Sequence, residues 1–158
     1  MSPDDAPAPL SSLLLIGWKE YVDFPDWNLR RIKAKIDTGA RTSALDVTSY
    51  DLAEVAGAGL VARLRLALHR RRPGRLISIE VPVLRTIVVA NSSGMREQRP
   101  LIEANVRLGS VNRRIRLTVT NRAGMRFRMI LGREALSGQF LVDVSQKYLL
   151  RQAGERGA

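Results

Sequence analysis

The sequence predicts an all-β chain folded as a closed or nearly closed barrel, with one or two short helices at most. Three observations lead there. Apolar and polar residues alternate in a series of short runs, the period of strands with one buried face. Polar tips containing Gly, Asn and Ser separate these runs at hairpin spacing. No amphipathic stretch of ten or more residues alternates with them, as a doubly wound α/β sheet would require.

Taken in order, residues 1–12 are acidic and proline-rich and read as a disordered or loosely attached segment. Residues 13–150 read as one barrel domain and 151–158 as a flexible tail. LLLIGWKEYV at 13–22 suggests the first strand, with Gly17 marking a bend or bulge. A surface loop, DFPDWNL, follows. In the next strand Ile32, Ala34 and Ile36 face one way and Arg31, Lys33 and Lys35 face water, and the strand runs into Asp37. Residues 42–47 form a short extended piece. Residues 50–59, YDLAEVAGAG, read as a brief helical turn or a loop. From Leu60 to Leu68 every even position is apolar, a strong strand signal, and this register puts His69 on the solvent face before the basic turn HRRRPGR.

Ile77, Ile79, Val81 and Val83 alternate again, and Ile87 to Ala90 extend the apolar run to a hairpin tip at 91–94. The return strand carries Ile102, Ala104, Val106 and Leu108 on one face. A turn at GSVN, a strand with Ile115, Leu117 and Val119, and a third turn at TNRAG follow. FRMIL at 127–131 is a short strand ending at Gly132. REALSG has room for about one helical turn before Gly138 stops it. FLVDV supplies a closing strand and SQKYLL a short tail.

Composition bounds the function. The 158 residues suffice for one domain with a real core, 45% of them hydrophobic. There is no cysteine, which excludes disulfides and thiolate catalysis, and one histidine, which falls short of the usual zinc enzyme set. We therefore expect no metal and no cofactor. The amino terminus has no basic n-region and no apolar run spans a bilayer, so a cytoplasmic protein without membrane contact is expected. The net charge of +11 attracts polyanions and acidic partners. Aromatic residues are only 5%, and no RNP, GXXG or zinc-finger signature occurs, which argues against direct nucleic-acid recognition.

The chemistry centres on Asp37 at a Gly-containing turn. Gly39 relaxes the backbone there, and Thr38 and Thr42 supply hydroxyls. Asp37 is read either as a catalytic carboxylate or as an ordinary Asx-turn residue, and spacing alone favours the Asx turn. Two facing carboxylates share one proton, so one can deprotonate a water while the other engages a scissile carbonyl. Asp-Thr-Gly occurs once in the chain. A carboxylate pair therefore requires a homodimer in which each copy donates Asp37.

IKAKIDTGARTSALD at 32–46 and LTVTNRAGMRFRMILGREAL at 117–136 together resemble the retropepsin-like aspartic peptidases. More narrowly the chain is similar to a bacterial family labelled ATP-dependent zinc proteases, often encoded beside ATP-grasp ligases that add amino acids to proteins or peptides. IGWKEYV at 16–22, NSSGMREQRPLI at 91–102 and GQFLVDVSQKYL at 138–149 carry the same likeness, which covers nearly all of the chain after residue 15. The resemblance implies a retropepsin-like barrel and an aspartic endopeptidase with Asp37 catalytic. It implies that Thr38, Gly39, Ala40 and Thr42 support the loop, and that Ile130, Leu131, Gly132 and Arg133 pack beneath it. Ser92, Ser93 and Gly94 would form a flap. Lys35 and Arg41, two and four positions from Asp37, either point inward, where they would favour the ionised acid, or face solvent and hold acidic or glutamate-bearing peptides. Where that family commonly has a histidine after S-A-L, this chain has Asp46. The other reading is a non-catalytic barrel module that binds an acidic protein or peptide through its basic surface.

Overall fold

In the computed structural model, residues 7–69, 72–90, 93–121 and 126–150 are described. A 3-10 turn at Leu10–Ser12 leads into β1 (Leu14–Gly17), and Trp18 separates it from β2 (Lys19–Phe24). The break at Gly17 has a packing cause. A Cβ there would sit 2.4 Å from the Gln146 carbonyl oxygen, so only glycine admits the C-terminal segment so close.

After a 3-10 turn at Pro25–Trp27 comes β3 (Leu29–Ile36), whose Leu29, Ile32, Ala34 and Ile36 enter the core while Arg30, Arg31, Lys33 and Lys35 stay outside. Two outward residues in succession break strict alternation. Arg31 absorbs the extra residue at φ 57°, and its N–H donates to Asp23 Oδ1 at 2.8 Å, where the β2–β3 register shifts as in a bulge.

The remaining strands are β4 (Ser43–Asp46), β5 (Ser49–Val55), β6 (Gly59–His69), β7 (Arg72–Pro82), β8 (Arg85–Ala90), β9 (Arg96–Leu108), β10 (Val111–Thr120), β11 (Met129–Leu131) and β12 (Phe140–Asp143), with one helical turn, α1 (Arg133–Leu136). Six strands close on themselves in the order β10-β4-β11-β3-β2-β9, and β9 pairs again with β10. β8 is the seventh, added to the free side of β9. The barrel is all-β, as its alternation predicted. Ile102, Ala104, Val106 and Leu108 from β9 and Ile115, Leu117 and Val119 from β10 fill its interior. A separate sheet, β5-β6-β7, joins the same core through Ala62, Leu64 and Leu66.

The structure corrects the sequence reading at several places. Residues 50–59 are mostly strand: β5 runs antiparallel to β6 although none of its residues is fully buried, held by that pairing and by half-buried Tyr50 against the core. β12 does not close the barrel. It lies parallel to β1 in a two-stranded sheet, and β9 with β10 makes the closure. LLLIGWKEYV is two strands rather than one. Ile130, expected under the loop with Leu131, is half-buried, because alternation in β11 turns Met129 and Leu131 inward. The expected exposure of the His69 side chain, most of the TNRAG turn, residues 1–6 and the tail at 151–158 lie outside the described residues.

Candidate active site

β3 and β4 are consecutive in the chain but not neighbours in the sheet, because β11 lies between them. β11 runs parallel to β3 and antiparallel to β4. The connection at 37–42 must therefore cross the end of β11, and hydrogen bonds tie it there. The Asp37 N–H donates to the Leu131 carbonyl at 2.9 Å, and the Gly132 N–H to Ser43 Oγ at 3.0 Å. The Arg133 N–H donates to the Ala40 carbonyl at 2.8 Å, and the Glu134 N–H to the Arg41 carbonyl at 3.0 Å. A Cβ on Gly132 would lie 2.9 Å from the Ala40 oxygen and from Thr42 backbone atoms. Its φ of −89° is ordinary, so the need for glycine here is space.

Asp37 sits at the head of this crossing, half-buried. Its Oδ1 accepts the Gly39 N–H at 3.0 Å, and its carbonyl accepts the Ala40 N–H at 3.2 Å. This is an Asx turn. The turn and the catalytic reading are compatible, since the same bond fixes the carboxylate's direction. Gly39 contributes closeness rather than an unusual φ: a Cβ there would come within 3.2 Å of Asp37 Oδ1. Among the described residues the carboxylate takes no second hydrogen bond. Thr38 is exposed, and its carbonyl accepts Arg133 Nη1 at 3.0 Å, so the Gly-Arg pair braces the loop through both backbone and side chain. Ala40 and Thr42 are half-buried.

Cations surround the loop. Lys35 is exposed on the outer face of β3, opposite Lys19 of β2, with Lys33 two residues further along. Burial, together with the nearby charges of Lys147, Arg126 and Lys33, holds the Lys19 ammonium below the ordinary lysine value. Arg41 is ion-paired: its Nε lies 3.0 Å from Glu134 Oε1, while Arg116 reaches the other oxygen of Glu134 at 3.7 Å. These groups, with Thr42, Arg85 and Ile87, line a cleft of about 130 Å³ beside the loop. Sequence reasoning missed Arg85 and Arg116. Both are outward residues of their strands, and only the closure of β8, β9 and β10 brings them beside Arg41. A larger cleft of about 320 Å³ lies around Asn28, Arg30, Arg31 and Arg107, at the opposite end of β3 from Asp37.

Ser93 and Gly94 occupy the tip of the β8–β9 hairpin, with Gly94 at φ 82°, and Ser92 lies outside the described residues. Asp46 is at the far end of β4 from the loop, where its N–H donates to the Arg128 carbonyl at 2.7 Å. The hydrogen-bond partners of Asp37 are the backbone groups of Gly39, Ala40 and Leu131, a set that does not fit zinc. Among the described residues no three His, Cys, Asp or Glu side chains converge. Among the same residues no helix is long and apolar enough to cross a membrane.

A family model described as retropepsin-like aspartic endopeptidase RimB matches residues 15–153. Proteins named probable alpha-L-glutamate ligase are similar in sequence. The one from Shewanella pealeana is 34% identical over 143 residues, which are 89% of this chain and 31% of that protein. The one from Parasynechococcus marenigrum is 36% identical over 135 residues, 82% of this chain and 28% of that protein. The chain thus spans about a third of the length of the curated relatives it matches. A crystal structure of Lpg0085 from Legionella pneumophila, a protein of unknown function, shares the fold with a TM-score of 0.71 at 24% identity, covering 87% of this chain and 98% of that one. With its single Asp-Thr-Gly crossing above Gly132 and the family match over nearly its whole length, the chain belongs to the RimB-like family of retropepsin-like aspartic endopeptidases.

Proposed function

We propose that the protein is an aspartic endopeptidase working as a homodimer, in which the Asp37 carboxylates of two copies share one proton and one water. The observation that carries this is the tethered carboxylate: Gly39 holds Oδ1, the loop is fastened above β11, and the exposed Thr38 beside it leaves the crossing open to a second copy. In the reaction the ionised Asp37 takes a proton from water as the water oxygen attacks the scissile carbonyl carbon. The protonated Asp37 of the other copy donates to the carbonyl oxygen. Collapse of the resulting diol breaks the C–N bond, the amine leaves with a proton from one carboxyl, and the other carboxylate accepts the hydroxyl proton. One water is consumed and the dyad regains its single shared proton.

Because only the singly protonated pair works, rate against pH is bell-shaped. Cationic side chains at Lys35 and Arg41 and the net charge of +11 favour acidic or glutamate-bearing peptides. Similarity to proteins named as glutamate ligases supports the same substrate class. The test is cleavage of glutamate-rich and neutral peptides by wild type and Asp37→Asn from pH 3 to 8. We expect a bell-shaped profile with the acidic peptides preferred, and loss of cleavage in the variant. Cleavage unaffected by the substitution removes Asp37 from the mechanism.

A second reading, a barrel that binds an acidic partner without cutting it, is favoured by one observation. Lys19, Lys33 and Lys35 share the outer face of β2 and β3 without a carboxylate partner among the described residues. Tight binding of an acidic peptide that stays intact at every pH would select this reading.

A further inference from the structure

We infer that the cleft between the catalytic loop and β8 is the subsite that takes a substrate glutamate side chain, and that Glu134 occupies its arginines until the substrate arrives. The inference rests on the endopeptidase reading and names the residues that would set its specificity. The cleft adjoins the loop directly, since Arg41 and Thr42 follow Asp37 within the same crossing. It presents three guanidiniums, Arg41, Arg85 and Arg116, against one carboxylate, Glu134. The local sum is two positive charges.

Arg85 has no carboxylate partner among the described residues, while Arg41 from the loop and Arg116 from β10 converge on Glu134. Ile87 is half-buried and Leu101 is 3% exposed, so the wall they form is apolar. A glutamate side chain matches this combination: two methylenes against Ile87 and Leu101, and a carboxylate among the arginines. At about 130 Å³ the cleft has room for one such side chain and no more than a few waters.

Glu134 holds the arginines loosely. The Arg41 side chain is 79% exposed and that of Glu134 34%, so their pair is well solvated and an incoming carboxylate can join or displace it at little cost. The internal carboxylate keeps Arg41 and Arg116 from folding onto other acids and also competes with the substrate. The two roles predict opposite signs for two kinds of variant. Removing an arginine weakens acidic ligands, whereas removing the charge of Glu134 strengthens them.

The experiment measures binding and cleavage separately. A fluorescein-labelled peptide with glutamates flanking the scissile bond, and its glutamine counterpart, are titrated into Asp37→Asn protein and followed by anisotropy. In that background Arg85→Ala or Arg116→Ala should weaken the glutamate peptide about tenfold. Glu134→Gln should tighten it roughly two- to fivefold. In the Asp37 protein the same arginine variants should lower the preference for glutamate over glutamine in kcat/KM by a similar factor. An unchanged preference and unchanged binding in the arginine variants overturn the inference, as does weaker binding in Glu134→Gln. Circular dichroism and urea midpoints identify any variant that fails to fold, and Arg85→Gln and Arg116→Gln, which keep more of the side chain, then replace the alanines. Selective binding without cleavage would count against the peptidase and leave the subsite standing, while Asp37-dependent cleavage blind to these residues would do the reverse.

Discussion

Gly132→Ala is the substitution that most sharply separates this account from ordinary propensity. Gly132 has a φ of −89°, open to any residue, so alanine should stabilise the protein by about 0.4–1 kcal/mol through the unfolded chain alone. The folded state opposes that gain. The new methyl would stand 2.9 Å from the Ala40 oxygen and from the carbonyl carbon and oxygen of Thr42. These are backbone atoms, and the bonds from Arg133 to Ala40 and from Glu134 to Arg41 keep them from retreating cheaply. Overpacking of this kind costs about 1–3 kcal/mol, and losing one of those hydrogen bonds adds about 1 kcal/mol. The clash wins, leaving a net loss of about 1–3 kcal/mol. Gly74→Ala is the control, since nothing lies within 4 Å of a Cβ there. The assay is urea unfolding with a shared m-value. The midpoint should fall for Gly132→Ala and hold or rise for Gly74→Ala, and peptide cleavage should fall only in the first. If Gly132→Ala is as stable as Gly74→Ala, the loop is not seated on β11 as argued.

Other substitutions test the supports around the site. Leu131→Ala should cost about 2–5 kcal/mol in urea unfolding, because Leu131 is 1% exposed, whereas half-buried Ile130→Ala should cost less. Glu20 is 1% exposed, and its carboxylate accepts the N–H groups of Gly17, Leu149 and Leu150 at 2.7, 2.9 and 3.2 Å. Glu20→Gln, which puts an NH₂ among donors, should lower stability by about 1–3 kcal/mol and speed amide exchange at Leu149 and Leu150. Lys19 is held below 10.5 by burial and like charges, so its charged form opposes folding. Between the lowered value and 10.5 the unfolded chain binds more protons, and this residue's contribution to stability rises with pH. Midpoints of Lys19→Gln followed into that alkaline window should lack this rise, and a slope identical to wild type would count against the crowding.

Much of the fold was legible because barrel walls have one buried face. β9 and β10 announce Ile102, Ala104, Val106, Leu108, Ile115, Leu117 and Val119 by alternation, and the barrel buries all of them; Arg99, Leu101, Thr118 and Thr120, buried as well, stand outside that pattern. β5 was not legible, since Leu52 and Val55 are exposed and its place comes from pairing with β6. The role of β12 was hidden for a related reason: its partner, β1, is remote in sequence, and no local signal encodes a parallel pairing. At the site, Asp37, Gly39 and Gly132 were readable from the motifs. The fastening of the loop by Arg133 to Thr38 was not, nor was the convergence of Arg85 and Arg116 on Glu134. Those contacts depend on β11 entering between β3 and β4 and on β9 closing the barrel, and both bring together residues far apart in the chain.

The central claim, one working site built from two copies of Asp37, is tested most directly by mixing. Wild-type and Asp37→Asn subunits, exchanged to equilibrium at constant total protein, give wild-type homodimers in proportion to the square of the wild-type fraction. An equal mixture should therefore retain about a quarter of wild-type cleavage. Retention of about half, with activity linear in the wild-type fraction despite confirmed subunit exchange, would mean that each chain cuts alone.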